Sequence, residues 1–150
     1  MRVLPTVFLL LLLFSSAAFA EERHSLSEME KKAVALMKDT FKASEEAEIS
    51  MGRAGAIEVL ENGLAEADVL LNAAYRETMR NLKNRDPHLA ELLLKDQRAW
   101  LKFVESFCDC VQSGFGEGGT MYINMGLAAK LRFFVQRIGY LRVINRNTIG

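Results

Sequence analysis

The sequence predicts an all-α protein, an antiparallel bundle of about four helices that follows a cleaved signal peptide. Two observations carry this prediction. Apolar residues recur every three or four positions over long segments, the period of an amphipathic helix, and no segment alternates as a strand would. The connections between these segments are short, which favours antiparallel neighbours. An apolar run at the N-terminus lies outside this pattern.

The N-terminal run has the layout of a secretory signal. Arg2 supplies a positive charge, residues 7–14 are all apolar, and Ala18-Phe19-Ala20 has the small-x-small pattern of a cleavage site. The run is shorter than the roughly 20 residues of a membrane span. We therefore expect residues 1–20 to be removed, with an uncleaved anchor as the alternative. The mature chain would be periplasmic or secreted, without a transmembrane anchor.

The mature chain, residues 21–150, has the length of one domain with its own core. Arg2 is the one charged residue of the signal, so the mature chain carries 18 basic and 19 acidic side chains, a net charge of −1. This balance argues against a nucleic-acid partner, because such proteins present a basic surface. We divide the chain into an N-terminal helix and linker (21–55), a helical domain (56–145) and a tail (146–150).

The first two helices are predicted over 27–49 and 56–83. Ser25 and Ser27, each followed three residues later by a glutamate, resemble capping boxes. Gly52 and Gly55 interrupt the helical pattern between the two segments. The second segment has the clearest apolar stripe: Ile57, Leu60, Leu64, Ala67, Leu71, Tyr75, Met79 and Leu82.

The third and fourth helices are predicted over 87–111 and 120–145. Asp86 is a good N-cap and Pro87 fits the first helical position. The glycine-rich segment 113–119 separates the two helices, and Thr120 can cap the fourth. The third helix has the apolar stripe Leu89, Leu92, Leu93, Trp100, Val104 and Phe107. The stripe of the fourth is Ile123, Leu127, Leu131, Phe134, Val135, Ile138 and Leu141.

Catalytic and metal-binding patterns are missing from the sequence. His24 and His88 belong to no ligand spacing. Gly114, Gly116 and Gly119 match a dinucleotide fingerprint formally, but they follow a helix where that motif needs a strand. We therefore expect no cofactor, no metal and no enzyme.

Cys108 and Cys110 are the only two cysteines. Two residues apart on a helix, their side chains point about 200° apart. They are free thiols, a strained bridge at a frayed helix end, or a pair between two chains, and export makes oxidation plausible. A redox site is disfavoured because no thioredoxin-like βαβ pattern surrounds them.

Polar residues beside the apolar stripes suggest a network across the core: Asp68, Asn72, Tyr75, Gln97, Trp100 and Arg137. We predict that they converge in the middle of the bundle, with Arg137 pairing with Asp68 for example. An acid–base site is the alternative. A structural network is favoured, because buried polar groups are normally paired for satisfaction.

Two segments and several single residues resemble one family. Residues 65–79, AEADVLLNAAYRETM, match the signature A-D-x-x-L-N-x-x-Y-x-x-x-M, and residues 93–103 match L-x-x-x-Q-R-A-W-L-x-F. Cys108, the Gly118-Gly119-Thr120 turn, and Arg137 with Leu141 follow in order. Over residues 57–142 the chain thus resembles the LprI-type lysozyme inhibitor N-terminal domain family.

The resemblance implies an all-helical envelope domain, and the family name comes from members that inhibit lysozyme. The chain lacks two cysteines that the family usually has, near Glu61–Asn62 and near Ala129. The domain would then depend on its core rather than on bridges. Residues 21–49 have no counterpart that we can place in the family pattern.

The function expected is an exported, non-catalytic module that binds a protein, with lysozyme as the candidate partner. A loop carrying Phe115 and Glu117 is the candidate contact region. The alternative is a structural or self-assembling envelope protein, a homo-oligomer that associates through the first helix or through Cys110.

Overall fold

The computed structural model describes residues 7–113 and 119–147, with side chains from Leu26 onward. Four helices form the bundle, and no strand occurs in these ranges: α1 Val7–Met51, α2 Arg53–Arg85, α3 Pro87–Ser113 and α4 Thr120–Asn147. The predicted all-α class and helix number are confirmed. None of the described helices combines the length and apolar character that crossing a bilayer requires.

Helix α1 starts much earlier than predicted. It runs from Val7 through the expected start at Ser27 without interruption. The reason is that no glycine or proline lies between Val7 and Met51, so nothing in the chain ends the helix there. The helix start predicted at the Ser25 and Ser27 capping boxes is therefore wrong for the full chain.

A single residue separates α1 from α2. Gly52 has φ 75°, in the left-handed region that favours glycine, and its N–H donates to Glu48 O at 3.0 Å. The predicted break at residues 50–55 is present but much shorter, because Gly55 is already helical.

The α2–α3 turn follows the sequence prediction. Asp86 Oδ1 accepts the backbone N–H groups of His88 at 3.1 Å and Leu89 at 3.2 Å, and Pro87 is the first residue of α3. The side chain thus satisfies two donors that the first helical turn leaves open.

Helix α2 lies centrally, with its largest interfaces against α1 and α4. It therefore buries a wider face than its apolar stripe predicted, including several small and polar residues: Ala56, Gly63, Ala74, Thr78 and Asn81. A Cβ added at Gly63 would lie 2.9 Å from Thr40 Cβ. The small residues thus let α1 and α2 approach closely.

Helix α3 buries a different face from the predicted stripe. Leu89, Leu92 and Phe107 are 36%, 46% and 39% exposed, while Leu93 and Val104 are buried as expected. Compared with the predicted stripe, the buried face is rotated by about one residue. The buried residues are Ala90, Leu93, Gln97, Val104 and Cys108. Since α3 packs against only part of the bundle, much of its apolar surface stays in contact with solvent.

Candidate functional site

A polar cluster centred on Arg137 joins α3 to α4. Arg137 is 6% exposed, and its Nε donates to Gln97 Oε1 at 2.9 Å. Its Nη2 pairs with the Asp96 carboxylate. The guanidinium carbon lies 5.2 Å from the centre of the Trp100 ring, within the range of a cation–π contact. The buried charge therefore has an amide, a carboxylate and an aromatic ring as partners.

The helical spacing explains why α3 can hold the guanidinium. Asp96 and Trp100 are separated by one turn, so both side chains face the same neighbour, and Gln97 adds an amide oxygen beside them. Burying a charge is costly unless it is paired and hydrogen-bonded. The arrangement meets that condition and thereby fixes the rotation of α4 against α3.

The predicted network is only partly assembled. Gln97 and Trp100 of α3 both contact Arg137 of α4. The pairing of Arg137 with Asp68 is wrong, because Asp68 is exposed on α2 and accepts a 3.0 Å bond from Asn72 Nδ2 instead. Asn72 also donates to the Asp68 carbonyl at 2.9 Å. Asp68 and Asn72 thus form a local surface pair within one helical turn.

Tyr75 lies near the cluster without bonding to it. Burial raises the pKa of Tyr75, and the charges of Arg98 and Arg137 act in the opposite direction. Its hydroxyl is buried and has no hydrogen-bond partner among the described residues. Tyr75 therefore keeps its proton and presents an unused donor near two arginines.

Two polar contacts were not predicted from the sequence. Asp96 was not predicted to contact Arg137. Its position one helical turn before Trp100 and directly before Gln97 could have indicated this contact. Asn81 Nδ2 donates to Asn145 Oδ1 at 3.1 Å in the interior between α2 and α4. Asn81 lies three residues after buried Thr78, so its place on the inner face of α2 was readable from helical spacing.

The cysteines differ in environment. Both are free thiols on a continuous helix, which excludes the bridge between them. Cys108 is buried and its Sγ lies 3.6 Å from Gly126 O. Burial raises the pKa of Cys108, with Asp109 adding to the effect and Lys130 opposing it. Cys110 is exposed and remains available for pairing between chains.

An aromatic cluster lies on the outer side of α3 and α4. Phe133 packs edge-on against Phe103 and Phe107, with ring centres 5.5 and 5.2 Å apart. Phe103 is 53% exposed and Phe107 is 39% exposed. Cys110 lies one turn beyond Phe107, on a similar face of α3. The cluster gives the bundle a solvent-facing apolar surface.

A groove of about 720 Å³ lies between the end of α2 and the start of α3. The α2 side carries Arg76, Arg80 and Lys83, at positions i, i+4 and i+7. Apolar side chains that include Met79 and Leu94 form most of the remaining lining. The groove is a concavity with basic and apolar walls, and it was not predicted from the sequence.

The candidate contact loop cannot be placed beside these features, because Phe115 and Glu117 lie outside the described residues. Within the described ranges, no group of three or more His, Cys, Asp or Glu side chains could hold a metal ion.

The model of one family, described as lysozyme inhibitor LprI, matches residues 42–141. The chain belongs to the LprI lysozyme inhibitor family. The match includes the end of α1, all of α2 and α3, and most of α4, so the Arg137 cluster lies within the family domain. It begins at Lys42, inside the 21–49 segment for which the motif resemblance offered no counterpart. No curated protein and no solved structure shows significant similarity to the chain.

Proposed function

We propose that the mature chain is an exported, non-catalytic binding module that inhibits a lysozyme-like glycosidase. The observation that carries this proposal is the family match, which extends over most of the bundle. Export is supported by the signal-like features of residues 1–20. The absence of a nucleophile–base pair in the motifs of the sequence supports a binding role.

The geometry of α3 and α4 supports a contact region at their connection. Arg137 ties α4 to Gln97 and Asp96 of α3, and the Cys108 thiol meets the Gly126 carbonyl nearer the connection. These contacts hold α3 and α4 in a defined relation. A pre-organised frame lowers the ordering cost that a loop otherwise pays on binding.

The test is a titration of a c-type lysozyme with the chain purified after export. Binding heat and lysis of cell-wall material are followed together. We expect saturable binding and a parallel loss of lysis. Absence of binding at tens of micromolar, an affinity weaker than about −6 to −7 kcal/mol, contradicts the proposal for this enzyme class.

The contact region is tested with Phe115→Ala/Glu117→Ala. We expect this variant to lose inhibition while keeping its helical circular dichroism. The matched control is Asp68→Ala/Asn72→Ala, which removes an exposed polar pair on α2 and is expected to leave inhibition unchanged. Equal inhibition by both variants excludes the loop as the contact region.

Self-association is the second candidate function. It is favoured by the exposed rings of Phe103 and Phe107 and by the exposed thiol of Cys110 on the same helix. Molar mass is measured by light scattering over a range of concentrations, with and without reductant. A monomer mass that does not change with concentration under oxidising conditions removes this candidate.

A further inference from the structure

The groove between α2 and α3 combines a positive rim with an apolar lining. Arg76 and Lys83 are exposed, and neither forms an ion pair with a described residue. Arg80 lies between them on the same side of α2. Glu91 is the one carboxylate in the lining, so the groove keeps an excess of positive charge. Arg76 and Lys83, which lie beside an apolar surface, favour a ligand that carries a negative charge.

The apolar walls indicate the rest of the ligand. Met79 contributes from α2, and Ala90 and Leu94 contribute from α3, one turn apart. Leu94 is 36% exposed, so its side chain is accessible to an incoming apolar group. Burial of apolar surface contributes about 25 cal/mol per Å². A ligand with an apolar chain would therefore gain more here than a simple anion.

Tyr75 lies at the buried edge of this groove. It belongs to the lining, and its buried hydroxyl has no partner among the described residues. Buried hydroxyls are normally hydrogen-bonded, so an unpaired one calls for a partner such as a ligand oxygen or a water molecule. Because this hydroxyl is buried, a ligand oxygen reaches it only if the ring moves, so the site does not depend on it.

The dimensions favour a small ligand. Positions 76 to 83 extend over about 10 Å of α2, at 1.5 Å per residue. The groove volume of about 720 Å³ lies within the range of small-molecule sites. A protein partner normally covers about 800 Å² on each side, more than this stretch of helix offers.

We propose that the α2–α3 groove binds a single-chain anionic amphiphile, a dissolved molecule with one carboxylate or phosphate head and one apolar chain. The head lies at Arg76 and Lys83, and the chain lies along Met79, Ala90 and Leu94. This site is separate from the α3–α4 connection, so it stands independently of the proposed inhibition of a glycosidase.

The test uses calorimetric titration of the full chain with sodium decanoate, below its micelle concentration. We expect saturable one-to-one binding. Decyltrimethylammonium, which has the same chain and a cationic head, is expected not to bind, and acetate, which lacks the chain, is expected to bind at least tenfold more weakly. Equal binding of decanoate and decyltrimethylammonium, or no saturable binding of decanoate, overturns the proposal.

Variants locate the site. Arg76→Gln/Lys83→Gln should weaken decanoate binding about tenfold, equivalent to about 1.4 kcal/mol. Lys38→Gln/Lys102→Gln removes the same charge from exposed positions outside the groove and should leave binding unchanged. Leu94→Asn should weaken binding, whereas Leu101→Asn, an exposed leucine elsewhere on α3, should not. If a groove variant and its control weaken decanoate binding equally, the assignment of the site to this groove is contradicted.

A membrane surface or a protein partner in this groove would give different binding results from those expected for decanoate. Tight binding to vesicles containing anionic phospholipid, without binding of dissolved decanoate, would assign the groove to a membrane surface. Binding of a glutamate-rich peptide without binding of decanoate would assign it to a protein partner. Either result overturns the proposal. Circular dichroism of each variant establishes that it is folded.

Discussion

The Nε of Arg137 donates a 2.9 Å hydrogen bond to Gln97 Oε1, joining the middle of α4 to α3. The guanidinium is buried, whereas its second partner, Asp96, has a side chain that is 57% exposed. The cluster therefore has one buried charge whose counterion is close to water. This asymmetry predicts that replacing Asp96 costs less stability than replacing Arg137.

Arg137→Ala should destabilise the fold by about 2–3 kcal/mol, because it leaves the buried Gln97 oxygen unsatisfied and removes packing against Trp100. The loss stays below the 3–5 kcal/mol of fully buried pairs, since water can solvate the Asp96 carboxylate. Urea denaturation followed by circular dichroism measures the change.

Asp96→Asn and Asp68→Asn are the controls for this prediction. Asp96→Asn should cost less than Arg137→Ala, about 1 kcal/mol, because an amide oxygen still accepts from the guanidinium. Asp68→Asn should change stability by less than about 0.5 kcal/mol, as exposed sites usually do. A larger loss for Asp68→Asn than for Asp96→Asn would contradict the observed pairing.

Gly63→Ala should destabilise the protein by about 1–2 kcal/mol, although alanine is the better helix former by about 1 kcal/mol. The added methyl would overlap Thr40, a β-branched side chain with little freedom to move away. Thermal denaturation measures the change, as a lower midpoint.

Gly139→Ala is the matched control, because the added methyl would meet only the Glu30 carboxylate, at 2.9 Å, at the end of a flexible side chain. It should be neutral or stabilising. If both variants were equally stable, close packing of α1 against α2 at Gly63 would be disproved.

The two thiols should react at different rates. Thiolates are the reactive form, and burial both shields Cys108 and raises its pKa, whereas Cys110 is exposed. A disulfide reagent at pH 8 should modify Cys110 quickly and Cys108 only slowly. Denaturant should make the two rates equal, and Cys110→Ser should remove the fast phase. A single fast phase with two thiols modified in the native protein would contradict the buried position of Cys108.

The raised pKa of Cys108 also predicts a pH dependence of stability. Above the ordinary thiol value of 9.0, the unfolded state loses its proton before the folded state does. The unfolded state then binds fewer protons, so the free energy of unfolding falls as pH rises. Replacing Cys108 by alanine should make this decline shallower above pH 9, measured by urea denaturation at each pH.

The exported protein should begin at Glu21. Mass spectrometry of the chain purified from the extracytoplasmic fraction of a bacterial host should show the loss of residues 1–20. Ala18→Leu/Ala20→Leu should block processing, because the cleavage site requires small residues. An intact Met1 or Arg2 terminus on the wild-type protein in the membrane fraction would favour the uncleaved anchor.

Local chemistry in the sequence was enough to predict the helices of the bundle and two of their boundaries. Gly52 and the Asp86-Pro87 pair act through their own backbone and side-chain preferences, which no distant contact needs to support. The same holds for the meeting of Gln97 and Trp100 on one side of α3, because helical spacing alone places them together.

The tertiary structure decided which surfaces and charges meet. Periodicity shows one apolar face of a helix, but the number of neighbours sets how much of the helix is buried. Central α2 therefore buries Gly63 and Asn81, while α3 leaves Leu92 and Phe103 exposed. The partner of Arg137 depends on the rotation of α2 and α3 around α4, a long-range property that selects Asp96 over Asp68. The groove beside Arg76 likewise depends on how the end of α2 and the start of α3 lie against each other.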